Sequence, residues 1–170
     1  MGRAKAEKKA RREKQKQARR MRRWLVGGAA LVVVIGGAVY YRPRTQVPQV
    51  GDHWHAKLEI VICGKREPPL PPSPGGIHAH GGNDEQIHIH PASGADSGTQ
   101  ANLGRFFDGL KIRFTASMIE LSGGRLFKEG DPCPDGNSGD LEVRVNGRRI
   151  SYPRAYVPQD GDRIQIRFGS

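Results

Sequence analysis

The chain has 170 residues, 28 Lys and Arg against 17 Asp and Glu, a formal net charge of +11 and two cysteines. The charge is concentrated at one end, because residues 1–23 hold twelve Lys/Arg and two Glu, whereas residues 24–170 carry a net charge of only +1. A basic tail on a nearly neutral body argues against nucleic acid as the partner. Two cysteines without a Cys-x-x-Cys motif also argue against a thiol–disulfide oxidoreductase.

A transmembrane helix is predicted over residues 24–41, WLVGGAALVVVIGGAVYY, which contain no charged residue and no proline. At about 1.5 Å per residue it would span about 27 Å, close to a hydrocarbon core of about 30 Å. The basic segment 1–23 predicts a cytoplasmic N-terminus near anionic lipid headgroups, with residues 42–170 outside the cell membrane. A cleaved signal peptide is the alternative, but Ala38-Val39-Tyr40 lacks the small residue expected at the cleavage site.

An extended linker is predicted over residues 42–50, RPRTQVPQV, because its two prolines resist helix formation. An extracytoplasmic domain follows over residues 51–170. Since disulfides persist outside the cytoplasm, Cys63 and Cys133 are predicted to bond, adding roughly 3–4 kcal/mol of stability. In the alternative, one cysteine is a thiolate ligand in a soft copper site.

The domain is predicted to be α+β, with one main helix on a mostly antiparallel or mixed sheet, in an arrangement compatible with a β-grasp. The first strand covers His55 to Ile62, and the polyproline-like loop EPPLPPSP follows at residues 67–74. A helix capped by Thr99 is predicted to run to about Asp108. Hydrophobic alternation then predicts the remaining strands, with a hairpin turn at Asn146-Gly147. Those strands lie around residues 110–114, 119–121, 141–145, 150 and 163–168.

All six histidines lie in three His-x-His pairs within 38 residues. Residues i and i+2 of a strand point to the same face, so each pair can direct two imidazoles to one place. Imidazole in its neutral form is the commonest protein ligand for zinc, copper, nickel and iron. The pairs therefore predict a transition-metal site. Its candidate ligands are His53, His55, His78, His80, His88 and His90.

A hairpin of segments 77–80 and 86–90 is predicted to place four of these histidines on one face. His53 and His55 complete the set if the first strand lies alongside. Three neighbouring carboxylates could be ligands or hydrogen-bond partners that orient the imidazoles. They belong to Asp52, Asp84 and Glu85.

Six histidines exceed the needs of one simple site, since a structural zinc ion takes four ligands and a catalytic one takes three. Three arrangements remain open. The face could bind two ions, it could bind one ion with the other histidines around it, or it could be a transfer surface with several weaker binding positions. Imidazole ligands without thiolate suit Cu(II), Zn(II) and Ni(II), and the extracytoplasmic location favours copper over zinc.

The expected function is storage of the metal, its delivery to a membrane oxidase or transporter, or use of the ion as a structural clamp. One alternative is an accessory subunit of a membrane complex, with the histidines at an interface. Another is a metal-dependent enzyme, since His78-x-His80 and Glu85 match part of the cupin motif, although Pro72 stands where that motif has glycine. No catalytic residue is assigned. Ordinary exposed histidines and a pH-sensing cluster are the remaining interpretations.

Several strings in the domain resemble a family of actinobacterial proteins with one N-terminal membrane helix. They are GDHWHA at 51–56, GIHAHG at 76–81 and IHIHP at 87–91, with NLGRFF at 102–107 and CPDG at 133–136 in the same pattern. The resemblance covers most of residues 51–170 and implies a bacterial origin. It implies no reaction, because no activity is established for that family.

Overall fold

The computed structural model describes residues 46–170 together with Met21, Trp24 and Gly28. Thr45–Ser170 belong to one unit and Met1–Arg44 to another. Nowhere in the described part of the chain is a helix long and apolar enough to cross a membrane. The predicted transmembrane helix at 24–41 lies outside the described residues except for Trp24 and Gly28, so it stays a prediction.

The domain is α+β, as predicted, and its described part contains nine strands and one α-helix. The elements are β1 (Trp54–Ile62), β2 (Lys65–Arg66), β3 (Ile77–His78), β4 (Gln86–Ile89), α1 (Leu103–Gly109), β5 (Met118–Leu121), β6 (Arg125–Lys128), β7 (Asp140–Val145), β8 (Arg148–Arg149) and β9 (Arg163–Gly169). Three short 3₁₀ helices cover Gly94–Asp96, Gly98–Gln100 and Pro153–Ala155.

Seven strands form one sheet in the order β3-β4-β1-β9-β7-β8, with β2 paired to the end of β1. The sheet is mixed, because β1 and β9 run parallel while every other neighbouring pair is antiparallel. Strands β5 and β6 form a separate two-stranded ribbon. The order places β1 at the junction between the β3–β4 hairpin, which carries four histidines, and the C-terminal strands.

One face of the sheet carries the hydrophobic core, and the alternation along each strand decides which residues lie there. On β1 the buried residues are Ala56, Ile60 and Ile62, so the odd-numbered residues face the other side. Helix α1 contributes Leu103, Phe106 and Phe107, each with no exposed surface. Burial of one such side chain stabilises the fold by about 1.5–3 kcal/mol. The opposite face of β1 and β4 therefore remains available for polar residues.

The helix begins three residues later than predicted, and its N-cap is Asn102 rather than Thr99. Asn102 Oδ1 accepts a hydrogen bond from the Arg105 backbone N–H at 2.9 Å, whereas Thr99 lies in a preceding 3₁₀ turn. Both residue types can cap a helix. Tertiary contact decides between them, because the Leu103 amide donates to the carbonyl of Tyr156 at 2.9 Å and fixes where the helix starts.

The predicted strand at residues 110–114 is wrong. Leu110 is the C-cap of α1, and Lys111 has a φ of 58°, which breaks an extended backbone. Ile112 and Phe114 are nevertheless buried, and the ring of Phe114 packs 4.4 Å from that of Phe107. Their alternation reflects packing beneath the helix rather than strand pairing, which is limited to a single bridge between Phe114 and Ile119.

The strand predictions at 119–121, 141–145 and 163–168 are confirmed in position, and so is the turn at Asn146-Gly147, whereas the return strand β8 ends at Arg149, one residue before the predicted Ile150. Both turn residues have positive φ, 51° and 81°, which is the conformation that a tight β-hairpin turn requires. The turn joins β7 to β8, and β7 pairs antiparallel with β9 over six residues from Asp140 to Val145. Ribbon strand β6 carries only partly buried apolar residues, and the sequence pattern did not reveal it.

Cys63 and Cys133 form the predicted disulfide, with their Cα atoms 5.6 Å apart. The bond joins the residue that follows β1 to the loop that precedes β7. Because both sulfur atoms are bonded to each other, the alternative in which one cysteine is a thiolate ligand is wrong.

Candidate metal centre

The three His-x-His pairs meet on one face of the sheet because β4 lies between β1 and β3. His88 is directly opposite His55 on β1 and opposite His78 on β3, so one row of three histidines crosses three strands. The alternate residues Ile87 and Ile89 are fully buried on the other face. The predicted hairpin is confirmed, and β1 lies alongside it. We call the opposite, histidine-bearing side of these three strands the histidine face.

The polyproline-like loop holds the segment that carries His78 and His80. The Ser73 amide donates to the carbonyl of Ala79 at 3.0 Å, and the Ala79 amide donates to Ser73 Oγ at 3.1 Å. Gly81 (φ 79°) is packed so closely that a Cβ there would lie 2.6 Å from Pro72 Cδ. The loop thus fixes the backbone on both sides of His80.

The backbone of His55 is held by the turn before β9. Its amide donates to Asp160 Oδ1 at 2.9 Å, and its carbonyl accepts from the Gly161 amide at 2.8 Å. Asp160 therefore supports the histidine face from 105 residues away along the chain. Sequence reasoning missed it, and no local signal could have found it, because its role depends on the parallel pairing of β1 with β9.

His53, His55 and His90 form the first of two groups on this face. Each offers one ring nitrogen, and the three nitrogens lie within 4.8 Å of one another. His53 Nε2 and His55 Nε2 are 3.1 Å apart, and the rings of His53 and His90 have centroids 3.8 Å apart. We call this set the trihistidine group.

His80, Asp84 and His88 form the second group, again with ligand atoms within 4.8 Å of one another. His88 Nε2 donates to Asp84 Oδ2 at 2.6 Å, and His80 Nδ1 lies 3.7 Å from the same oxygen. The rings of His80 and His88 stack with centroids 3.8 Å apart and planes 15° apart. We call this set the carboxylate group.

His78 lies between the two groups and belongs fully to neither. Its Nε2 is 3.0 Å from His80 Nε2, and its ring centroid is 5.2 Å from that of His90. The other two candidate carboxylates, those of Asp52 and Glu85, form contacts outside the two groups. Asp52 accepts from the Gln49 amide, and Glu85 pairs with Arg66 at 2.6 Å.

Three nitrogens of this face are buried without a hydrogen-bond partner: His78 Nδ1, His88 Nδ1 and His90 Nε2. Among the described residues, no other buried side-chain nitrogen or oxygen is left in this state. A buried polar atom without a partner costs about 1–3 kcal/mol. The cost is concentrated in the histidine cluster, and a cation bound at His90 Nε2 would supply the partner that this nitrogen lacks.

Burial and the neighbouring imidazoles oppose protonation of three of the histidines, His55, His78 and His90. Burial, followed by the charges of His53, His78, His88 and His55, lowers the pKa of His90 to about 4. Burial and neighbouring histidines also lower the pKa of His55 and of His78. These rings are therefore neutral near pH 7, which is the form that binds metal ions.

Asp84 stays ionised in the same cluster. Burial raises the pKa of its carboxyl, but the hydrogen bonds from His88 and from the Gln86 amide lower it more, so the net pKa is below the ordinary value. The Gln86 amide donates to Asp84 Oδ1 at 3.0 Å. The other oxygen, Oδ2, is thereby directed to the histidines as a negatively charged ligand atom.

The chain matches no protein-family model, no curated protein and no solved structure.

Proposed function

We propose that this protein binds a transition metal on the histidine face of an extracytoplasmic domain and stores or delivers that metal. The observation that carries the proposal is the set of buried histidine nitrogens without hydrogen-bond partners, all within one cluster. A surface that only contacted water would not gather such costly atoms in one place.

The ligand spacing supports binding of one ion by neighbouring histidines. Two nitrogens that bind an ion at about 2.0–2.1 Å in tetrahedral geometry are about 3.3 Å apart. The observed separations are 3.1 Å for His53 and His55 and 3.0 Å for His78 and His80.

The donor set favours copper over zinc. Cu(II) binds imidazole sites more tightly than Zn(II) in the general order of divalent metals. Both cysteines are bonded to each other, so a thiolate that would favour Cu(I) does not contribute.

An extracytoplasmic location and a membrane anchor belong to the same proposal. The Cys63–Cys133 disulfide supports an oxidising compartment, and the basic segment 1–23 followed by the apolar segment 24–41 supports a single-pass anchor with a cytoplasmic N-terminus. Delivery would then be to a membrane oxidase or a metal transporter. Membership of the actinobacterial family rests on the quoted strings alone.

We also propose a β-grasp-like arrangement for the domain. Its support is the strand order β2-β1-β9-β7-β8, with a parallel central pair, a hairpin at each edge and α1 between the two hairpins in sequence. In this arrangement the β3–β4 hairpin is an insertion that lengthens the sheet and carries four of the six histidines.

The proposal is tested by the metal content of the full chain, exported to an oxidising compartment and purified in detergent without a histidine tag. Elemental mass spectrometry should find about one or two equivalents of copper or zinc, with copper preferred in direct competition. Replacing His78, His80, His88 and His90 with alanine should abolish stoichiometric binding.

The matched control is Lys57→Ala, which alters an exposed, non-histidine residue of β1 on the same face as His55. It should bind as the unmodified chain does. A chain that contains no metal on purification and does not bind added copper or zinc would overturn the proposal. That result would favour the alternative in which the histidines lie at an interface with a membrane partner.

A further inference from the structure

We infer that the histidine face holds two unlike metal sites, an exchangeable one at the trihistidine group and a retained one at the carboxylate group. This inference rests on the proposed function and gives the two sites different roles. The first site would carry the metal that is delivered, and the second would hold an ion that stabilises the histidine face. The two groups share no residue.

The trihistidine group is built from segments that are distant in sequence, and all three of its ligands are at least partly exposed, whereas His88 of the carboxylate group is buried. His53 precedes β1 and is exposed, while His90 follows β4. Its three ligands are neutral imidazoles, so an ion bound there keeps its full charge and its attraction to an incoming ligand. Both features favour rapid exchange with an acceptor.

The carboxylate group is local and more rigid. Its three residues lie within the β3–β4 connection and β4, where the Asp84 amide also donates to the carbonyl of Gly81 at 3.2 Å. His88 is 6% exposed, and its ring is stacked on His80 and hydrogen-bonded to Asp84. Ligands that are already oriented lose less freedom on binding, and a carboxylate adds Coulomb attraction for a divalent cation.

His78 lies between the two groups. Its Nε2 is beside His80 Nε2, and its ring is near that of His90 in the trihistidine group. His80 Nδ1, on the other side of the His80 ring from Nε2, is the atom near Asp84. His78 therefore belongs to neither ligand set.

The test is the stoichiometry and release kinetics of Zn(II) from the full chain in detergent. The zinc-loaded protein is mixed with an excess of a colorimetric chelator. Two equivalents should be released in two phases, with rates that differ at least about tenfold, which corresponds to about 1.4 kcal/mol between the barriers. Intact disulfide and unchanged circular dichroism establish that each variant is folded.

Two variants assign the phases. His53→Ala should remove the fast phase and leave one slowly released equivalent. Asp84→Asn keeps an oxygen that can accept from the Gln86 amide but removes the charge, and it should remove or accelerate the slow phase alone. Lys57→Ala, at an exposed residue of β1 on the same face as His55, should preserve both phases.

The outcomes separate this inference from the proposed function. One equivalent released in one phase, or two equivalents released at one rate and lost together in both variants, would overturn the two-site inference while leaving metal binding in place. A chain that binds neither Zn(II) nor Cu(II) would overturn both.

Discussion

His55 and His88 face each other across β1 and β4, and their rings meet edge to face with centroids 4.6 Å apart. One belongs to the trihistidine group and the other to the carboxylate group. The two groups are therefore in contact, and a substitution at either of these residues would disturb both. The more peripheral residues His53 and Asp84 allow each group to be changed separately.

Metal binding should raise the stability of the folded chain. An ion that binds only the native state at a concentration 100 times its dissociation constant contributes about 2.7 kcal/mol. We expect added Cu(II) or Zn(II) to raise the melting temperature by several degrees, measured by circular dichroism. The variant lacking His78, His80, His88 and His90 should show no such shift, and an equal shift in that variant would contradict a histidine-bound ion.

Acidification should destabilise the metal-free chain between about pH 6.5 and pH 4. The pKa of His90 is lowered to about 4 in the folded state, so over this interval the unfolded chain binds more protons than the native chain. The contribution of His90 to the free energy of unfolding is fully present above about pH 6.5. It decreases as the pH falls and is lost below about pH 4. Urea unfolding at successive pH values should show this decline, and His90→Gln should make it shallower. A free energy of unfolding that rises on acidification would contradict the prediction.

Loss of the Cys63–Cys133 bond should destabilise the domain by roughly 3–4 kcal/mol, because its 70-residue separation closes a long loop in the unfolded chain. Thermal unfolding of the double variant Cys63→Ser and Cys133→Ser measures the effect. The matched comparison is the native sequence after reduction, which should melt at a similar temperature. A melting temperature unchanged by both treatments would show that the bond does not constrain the unfolded state.

Asp162→Ala should destabilise the fold by about 3 kcal/mol, since Asp162 is 6% exposed and leaves several donors without a partner when it is removed. Its carboxylate accepts from Asn146 Nδ2 at 2.7 Å, from the Tyr156 hydroxyl at 2.5 Å and from the Gln159 amide at 2.8 Å. Tyr156→Phe removes one of these hydrogen bonds and should cost about 1 kcal/mol. Chemical denaturation compares the two variants, and equal losses would contradict the shared network.

Asn102→Ala should cost about 1 kcal/mol, because its side chain caps α1. Thr99→Ala is the control, since the Asn102 side chain contacts only the backbone carbonyl of Thr99, which the substitution retains. It should change the free energy of unfolding by much less. A larger loss for the Thr99 variant would place the helix start at the residue that the sequence pattern predicted.

Local pattern was enough to predict most strands and the histidine hairpin. Alternation fixes which residues of a strand share a face, so the pairing of His78 and His80 with His88 and His90 follows from spacing and a connecting turn. Chemical type alone also indicated the Cys63–Cys133 bond in an oxidising compartment. These features need no knowledge of distant contacts.

Tertiary structure decided the rest, because it depends on which distant segments pair. Only the antiparallel pairing of β1 with β4 places His53 and His55 beside His90 and so defines the trihistidine group. Only the parallel pairing of β1 with β9 brings Asp160 to the backbone of His55. The spacing in the sequence sets the face of the strand to which each side chain points. The free energy of sheet pairing and core burial selects which other side chains lie beside it. Those neighbours define the two sets of ligands.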